Sequence, residues 1–246
     1  MANDQRPTTK DCLLYYITDR TAFAVDEPTR RRRLLEKIAE AARAGVDYIQ
    51  LREKDLSTRE LESLAREAVS AIHEAKKRNP SPRPLAPALL INSRTDVALA
   101  VGADGIHLRS DDISPKEVQK IWTGGNVATA APGCPAPPGT AIGSTQPQRP
   151  LIAVSCHSPA EVREAAINGA TFAVFAPVFE KKDAPDAQPA GLSKLREACQ
   201  ASIPVLALGG ITLQNARQCL EAGAAGIAAI RLFQEDNISE IVRNLR

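Results

Sequence analysis

The chain has 246 residues, of which 43% are hydrophobic and only 4% aromatic. This length suits one barrel domain of about 250 residues, and the few aromatics leave a core to be built from Ala, Val, Ile and Leu. A formal charge of +2 is too small for a general nucleic-acid binder, whose basic excess would be larger. We therefore expect no nucleic-acid partner.

The first ten residues are polar and lack the apolar run of a signal peptide, and no segment approaches the roughly 18 apolar residues of a membrane span. The five cysteines, Cys134 among them, are scattered and show no C-x-x-C pair, a pattern typical of reduced thiols. We predict a cytoplasmic protein with a flexible tail over residues 1–10 and no membrane partner. The sequence leaves open whether it forms a homo-oligomer.

Short apolar segments alternate with amphipathic segments over residues 11–246. The predicted strands are Leu13–Ile17, Tyr48–Leu51, Ala88–Ile91, Gly105–Leu108, Leu151–Val154, Phe172–Phe175, Val205–Leu208 and Gly226–Ile230. Between them apolar residues recur at spacings of three and four, which predicts helices. Eight repeats of strand and helix indicate parallel strands with right-handed crossovers. The predicted fold class is α/β, as a single (β/α)8 TIM barrel, with an open doubly wound sheet as the alternative.

Capping residues mark four helix starts. Ser57, Ser114 and Ser158 are each followed three residues later by Glu, which is the pattern of a capping box. Thr212 is expected to cap the helix that runs through Leu220. These positions place each helix directly after the loop that follows a strand.

The segment Thr123–Pro150 departs from this alternation. It is rich in Gly, Pro, Ala and Thr and is too long for an ordinary connection. We interpret it as a surface insertion in the barrel or a lid, and a disordered loop is the simpler alternative.

The second strand ends in Gln50-Leu-Arg-Glu-Lys54. With a side-chain period of two, Gln50, Arg52 and Lys54 share one face, and Glu53 lies on the other. Functional groups of a barrel collect at the carboxyl ends of its strands. Two cations there are costly unless an anion lies between them, so the pattern predicts an anion site. A structural layer of ion pairs inside the barrel is the alternative.

Polar residues also follow the next strands. Asn92 ends the third strand, and Asp112 lies in the loop after the fourth, where a carboxylate could hold Mg²⁺ together with substrate phosphate oxygens. Ser155 ends the fifth and is placed to donate or accept a hydrogen bond with a ligand. His107, inside the fourth strand, is interpreted as a buried imidazole whose hydrogen bonds are satisfied.

Three later segments fit phosphate binding. Lys181 and Lys182 follow the sixth strand in a polar loop that is either an anion-binding loop or merely solvated. Gly209-Gly210 ends the seventh strand and Ile230-Arg231 ends the eighth. Loops after these two strands often form a phosphate cradle from backbone amides. We therefore expect small phosphorylated substrates.

These residues resemble the family of thiamine-phosphate synthases and thiazole tautomerases over nearly the whole chain, apart from the tail and the insertion. The Gln-Leu-Arg-Glu-Lys run is the most specific part. The other matching segments are Tyr15–Asp19, Asn92, Gly105–His107, Asp112, Ser155–His157, Pro177–Phe179 and Gly209–Ile211.

The resemblance implies a barrel transferase of thiamine biosynthesis that joins hydroxymethylpyrimidine diphosphate to thiazole phosphate and releases diphosphate with Mg²⁺. In that family's dissociative reaction the aminopyrimidine helps to expel diphosphate, and the thiazole nitrogen traps the cation. The implied substrate-binding residues are Gln50 and Ser155 for the pyrimidine, Arg52, Lys54, Asn92 and Lys182 for the diphosphate, and Gly210, Ile230 and Arg231 for the thiazole phosphate. Arg52, Lys54 and Lys182 are the implied catalytic residues, and Asp112 is the implied magnesium ligand.

Three departures from the family pattern concern metal affinity and turnover more than ligand class. Ser93 stands where synthases carry Asp as a second magnesium ligand, which makes Ser93 the remaining candidate there. Lys181, Lys182 and Asp183 replace a Thr-x-Thr-Lys segment. Arg231 replaces a Ser at the phosphate cradle, where a guanidinium can grip phosphate with two hydrogen bonds.

Two other functions remain as alternatives. A thiazole tautomerase-like enzyme would need a poised base within hydrogen-bond reach, and this chain has Pro177 where that branch tends to use His. A non-catalytic barrel that binds thiamine phosphate or thiazole phosphate is favoured by Ser93. Another phosphate-handling barrel is disfavoured by the match at Gln50–Lys54.

Overall fold

The computed structural model describes residues 12–78, 87–124, 149–180 and 188–246. The strands are β1 Leu13–Ile17, β2 Tyr48–Leu51, β3 Ala88–Asn92, β4 Gly105–Leu108, β5 Leu151–Cys156, β6 Phe172–Phe175, β7 Val205–Ala207 and β8 Gly226–Ala229. The helices are α1 Glu27–Ala44, α2 Thr58–Arg78, α3 Thr95–Val101, α4 Pro115–Gly124, α5 Pro159–Ile167, α6 Gly191–Ala198, α7 Leu213–Glu221, α8 Arg231–Glu235 and α9 Ile238–Leu245.

The eight strands form a closed barrel in sequence order. Each strand runs parallel to the next, and β8 closes on β1 through the pairs Leu13 with Gly226 and Tyr16 with Ala229. Closure confirms the predicted TIM barrel and excludes the open doubly wound sheet. The predicted tail, residues 1–10, and most of the predicted insertion, residues 125–148, lie outside the described residues.

Four boundaries differ from the prediction. β3 continues through Asn92, and β5 continues through Cys156 because Ser155 and Cys156 pair with Val174 and Phe175 of β6. β7 ends at Ala207, one residue early. β8 ends at Ala229 because Ile230 already has a helical conformation, with φ −97° and ψ −75°. In addition α4 runs to Gly124, so the helix includes the first two residues of the predicted insertion.

The helix starts are as predicted. Ser57 and Glu60 exchange hydrogen bonds at the start of α2, as do Ser114 and Glu117 at α4. The Thr212 side chain accepts a hydrogen bond from the Asn215 backbone amide, and the Asn215 side chain accepts one from the Thr212 backbone amide. Such reciprocal bonds satisfy amides that have no partner within the helix.

Apolar side chains pack on both sides of the barrel wall. Outward-facing strand residues pack against helix residues such as Leu34, Ile38 and Leu64, which are fully buried. The interior contains an aromatic group in which Tyr48 stacks on Phe172, with ring centroids 4.7 Å apart, and Tyr15 meets Phe172 edge to face at 5.5 Å. Three of the nine aromatic side chains thus lie in the barrel interior, which side chains must fill in a barrel of eight strands.

A repeated contact secures the amino-terminal ends of the strands. The residue just before β2, β4 and β6 accepts a hydrogen bond from a backbone amide at or next to the start of the preceding strand. The bonds are Leu14 to Asp47 at 2.7 Å, Leu89 to Asp104 at 2.8 Å and Ile152 to Thr171 at 3.0 Å. These bonds align neighbouring strands. The alignment sets which residues of adjacent strands lie side by side at the carboxyl ends.

Among the described helices, none combines the length and the apolar character that crossing a bilayer requires.

Candidate active site

A cavity of about 730 Å³ opens at the carboxyl ends of the strands. Eight of the predicted site residues line it, namely Gln50, Arg52, Lys54, Asn92, Ser155, Gly210, Ile230 and Arg231. Ser93 and Asp112 lie beside it without lining it, and Lys182 lies outside the described residues. Residues from β2, β3, β5 and the loops after β7 and β8 therefore meet in one place.

The alternation along the end of β2 is as predicted. Gln50 is 1% exposed, and Arg52 and Lys54 follow it along the cavity wall. Neither cation forms an ion pair with any described residue, so the described residues provide no ion-pair layer at these two side chains. The positive charge of Arg52 is the main cause that lowers the pKa of Lys54, and partial burial and Arg109 add to it. Two positively charged side chains on one cavity wall indicate a site for an anion.

The ion pairs lie on the opposite face of the same strand end. Glu53 is 5% exposed and accepts hydrogen bonds from Thr18 Oγ1 at 2.5 Å and from the Arg20 amide at 3.0 Å. Arg20, itself 4% exposed, reaches Glu53 and donates two bonds to Asp55 at 2.6 and 2.9 Å. Thr18 Oγ1 also accepts from the Arg52 amide at 3.0 Å. This buried network holds the backbone that presents Arg52 and Lys54.

Gln50 is anchored through one end of its amide. Its Nε2 donates to Asn92 Oδ1 at 2.8 Å, while its Oε1 is the one buried side-chain polar atom that has no partner among the described residues. A buried acceptor without a partner costs about 1–3 kcal/mol. The cavity wall is therefore arranged to receive a hydrogen-bond donor from a ligand.

His107 is 3% exposed and has both ring nitrogens in hydrogen-bond contact, which confirms its interpretation as a satisfied buried imidazole. The contacts are with Tyr15 Oη at 3.0 Å and Ser155 Oγ at 2.7 Å. Burial, with a contribution from Arg52, lowers the pKa of His107 to about 3. The ring is thus neutral at physiological pH.

Ser93 and Asp112 meet beside Asn92. Ser93 Oγ donates to Asp112 Oδ2 at 2.6 Å, and the same oxygen accepts from the Arg109 amide at 2.8 Å. Ser93 has a φ of 58°, which turns its side chain towards Asp112. No group of three or more acidic, His or Cys side chains suited to a metal occurs within the described ranges.

The turn after β7 requires glycine. Gly209 and Gly210 have φ values of 99° and 64°. A Cβ at Gly210 would lie 2.4 Å from the backbone oxygen of Glu180. Neither glycine amide donates a hydrogen bond to another described residue, so both remain able to bind an anion. Ile230 and Arg231 follow the neighbouring strand β8 and line the same cavity, and Arg231 is the first residue of α8 rather than the end of a strand.

The comparisons with known proteins agree with this geometry. A family model described as thiamine monophosphate synthase matches residues 14–128 and 139–233. The chain belongs to the thiamine monophosphate synthase family. It is 34% identical over 220 residues to a thiamine-phosphate synthase of Roseiflexus castenholzii, covering 89% of this chain and 79% of that one. It is 33% identical over 241 residues to one of Syntrophomonas wolfei, covering 96% and 95%.

The solved structures give the same result. A thiamine phosphate pyrophosphorylase of Pyrococcus furiosus superimposes with a TM-score of 0.69 at 28% identity, covering 97% of this chain and 95% of that one. A geranylgeranylglyceryl phosphate synthase of Thermoplasma acidophilum, 15% identical with a TM-score of 0.58, shares the fold alone.

The sequence assigned no site role to two residues at or behind the cavity wall. Tyr15 was predicted to lie in a strand and in a segment that matches the family, and its alternation with Ile17 indicates a side chain in the barrel interior. Arg109 follows β4 and lines the cavity, as its position at a strand end would have suggested. The Arg20 network had no local signal because Arg20 follows β1, whereas Glu53 and Asp55 lie in the loop after β2.

Proposed function

We propose that the chain is a thiamine-phosphate synthase, which joins hydroxymethylpyrimidine diphosphate to thiazole phosphate and releases diphosphate. One observation carries the proposal. Arg52 and Lys54, which form no ion pair with the described residues, share a cavity wall with Gln50, whose buried Oε1 has no hydrogen-bond partner among those residues. A ligand that carries both an amino group and a phosphate chain next to it satisfies all three.

In this reaction the bond between the pyrimidine methylene carbon and the diphosphate oxygen breaks, and its electron pair leaves with diphosphate. The methylene carbon then forms a bond with the thiazole nitrogen. Arg52 and Lys54, with Asn92 beside them, stabilise the charge that develops on the leaving oxygens. Gln50 Oε1 accepts a hydrogen bond from the pyrimidine amino group, which favours the positive charge that grows on the ring. Lys182 is proposed as a further diphosphate ligand on the strength of the sequence alone.

The second substrate is assigned to the other side of the cavity. The unused amides of Gly209 and Gly210 and the guanidinium of Arg231 are suited to the thiazole phosphate, with Ile230 as an apolar contact. A cavity of about 730 Å³ lies within the usual range of roughly 300–1,000 Å³ for small-molecule sites. Ser155 lies between the two regions on β5 and contacts the pyrimidine.

Mg²⁺ is the proposed cofactor. Asp112 Oδ2 and Ser93 Oγ are hard oxygen ligands 2.6 Å apart, and Mg²⁺ binds through one or two carboxylates together with substrate phosphates and water. The residues therefore fit a magnesium ion that shares its coordination with the diphosphate. Bound Mg²⁺ would supply positive charge to the phosphate oxygens.

We also propose that the protein works in the cytoplasm. Cys156 and Cys219 are buried, and burial raises the pKa of both thiols to about 12. Thiols of this kind are unreactive and suit a reducing compartment.

The proposal is tested by incubating the purified chain with both substrates and Mg²⁺ and by measuring thiamine phosphate and diphosphate over time. Synthase activity requires the two products to appear in equal amounts, with neither formed when one substrate is omitted. Binding of thiamine phosphate without release of diphosphate would instead identify a non-catalytic binding protein. Isomerisation of the thiazole alone would identify a tautomerase.

A further inference from the structure

A chain of three side chains leads from the barrel core to the cavity. Tyr15 on β1 is fully buried, and its Oη lies 3.0 Å from Nδ1 of His107 on β4. Nε2 of His107 lies 2.7 Å from Oγ of Ser155 on β5. Ser155 lines the cavity, so the chain of hydrogen bonds ends at the cavity wall. Its two inner members have no role in the reaction described above.

The number of protons fixes the direction of these hydrogen bonds. A neutral imidazole carries one N–H and one acceptor nitrogen, and the buried ring of His107 contacts two hydroxyl groups rather than a carboxylate, which favours the neutral form. Burial, with a smaller effect of Tyr48, raises the pKa of Tyr15, so the phenol keeps its proton. Among the described residues the one acceptor within reach of that proton is His107 Nδ1. Nε2 must then carry the ring proton, which it donates to Ser155 Oγ.

We infer that Tyr15 and His107 are positioning residues that turn the Ser155 hydroxyl into a hydrogen-bond donor directed at an acceptor atom of the pyrimidine substrate. The inference rests on the proposed function for the identity of that substrate. With its oxygen already accepting from the imidazole, the Ser155 hydroxyl has its proton left for the ligand. The opposite tautomer would make Ser155 donate to His107, leave the Tyr15 proton without an acceptor, and present only lone pairs to the cavity.

The tautomer can be measured without any substrate. The chain has three histidines, His73, His107 and His157, so ¹⁵N-labelled imidazole signals can be assigned with single variants of the other two. The expected spectrum at neutral pH shows His107 protonated at Nε2 and unprotonated at Nδ1. A proton on Nδ1 would overturn the inference even if the chain proves to be a synthase.

A double-mutant cycle tests the coupling. Tyr15→Phe removes the proton that orients the imidazole, and we expect kcat/KM for the pyrimidine diphosphate to fall about tenfold, the effect of about one hydrogen bond. Ser155→Ala should cause a similar loss, and the double variant should be no worse than Ser155→Ala alone. Losses that multiply would show that Tyr15 acts independently of Ser155 and would refute the inference.

Tyr16→Phe is the matched control. Tyr16 is the next residue, is equally buried, and directs its hydroxyl to Gln234, 3.5 Å away on the outer side of the barrel. We expect Tyr16→Phe to leave kcat/KM unchanged, and an equal loss there would mean that any buried hydroxyl of β1 has this effect. If the chain lacks synthase activity, the same cycle is run on its affinity for the pyrimidine diphosphate. Coupling between Tyr15 and Ser155 is required in either assay.

Discussion

Gln50 Nε2 donates a 2.8 Å hydrogen bond to Asn92 Oδ1, and this bond joins β2 to β3 at the wall of the cavity. Asn92 Nδ2 donates in turn to Ser93 Oγ at 3.2 Å, which fixes which end of the Asn92 amide accepts. The Gln50 amide therefore has one orientation, with Oε1 left for the ligand.

Replacing Gln50 with Glu should weaken both functions of this amide. A carboxylate cannot donate to Asn92 Oδ1, and its negative charge is buried beside the expected diphosphate. We expect kcat/KM for the pyrimidine diphosphate to fall about 100-fold, and the free energy of unfolding to fall by about 1–3 kcal/mol. Steady-state kinetics measure kcat/KM, and urea unfolding measures the free energy of unfolding. Gln218→Glu on the exposed side of α7 is the control. A fully active Gln50→Glu variant would refute the role of Oε1.

Removal of either cation from the end of β2 should slow turnover. Each of Arg52→Ala and Lys54→Ala deletes a charged hydrogen bond worth roughly 1.5–3 kcal/mol, which corresponds to about a 10- to 100-fold loss in kcat/KM. Arg59→Ala is the matched control because Arg59 is an exposed cation of α2 outside the cavity. Equal rates for the three variants would contradict the assigned roles of Arg52 and Lys54.

Asp112→Asn should raise the Mg²⁺ concentration needed for half-maximal rate. The carboxylate is held by Ser93 and by the Arg109 amide, so the amide substitution keeps its shape and removes its charge. About a tenfold increase is expected from a titration of rate against Mg²⁺, since one carboxylate is the main protein ligand. An unchanged metal dependence would show that the ligands lie elsewhere.

Ser93→Asp should have the opposite effect on the metal. Asp tolerates the positive φ of this position, and the new carboxylate would face Asp112 directly. In the presence of a metal chelator we expect the variant to unfold at a lower temperature than the parent chain, because the two carboxylates repel each other. With Mg²⁺ we expect the variant's unfolding midpoint to rise above that of the parent. The thermal unfolding midpoint of the variant is measured with and without Mg²⁺. A midpoint that does not change on addition of Mg²⁺ would argue against a magnesium site here.

The buried imidazole makes stability depend on pH. The pKa of His107 falls to about 3 in the fold, against about 6.5 in the unfolded chain. The unfolded state therefore binds more protons between these values, so the stability that His107 contributes is present above pH 6.5 and is lost as the pH falls towards 3. The free energy of unfolding, measured with urea between pH 5 and 7, should change less with pH for His107→Asn than for the parent chain. Gln218→Asn on the exposed side of α7 should keep the pH dependence of the parent, and an identical pH dependence in all three chains would contradict the prediction.

The sequence predicted those parts of the site that depend on local periodicity. The opposite faces of Arg52 and Glu53 follow from the two-residue period of a strand, and the helix starts follow from capping pairs such as Ser114 and Glu117. The end of β5 was misjudged because Ser155 is held in the strand by its pairing with Val174, a distant contact.

The chain of hydrogen bonds from Tyr15 through His107 to Ser155 could not be predicted from the sequence. It joins three strands across the barrel interior and depends on closure and register rather than on any local pattern. The buried pairing of Arg20 with Glu53 likewise depends on two loops meeting in the fold.

The central claim is that the cavity binds two phosphorylated groups at the same time, one at Arg52 and Lys54 and the other at Gly210 and Arg231. Calorimetric titration of diphosphate with Mg²⁺, performed with and without saturating thiamine phosphate, tests it most directly. Both ligands should bind together, with Arg52→Ala weakening only diphosphate and Arg231→Ala only thiamine phosphate. Mutually exclusive binding, or variants that weaken both ligands equally, would contradict the claim.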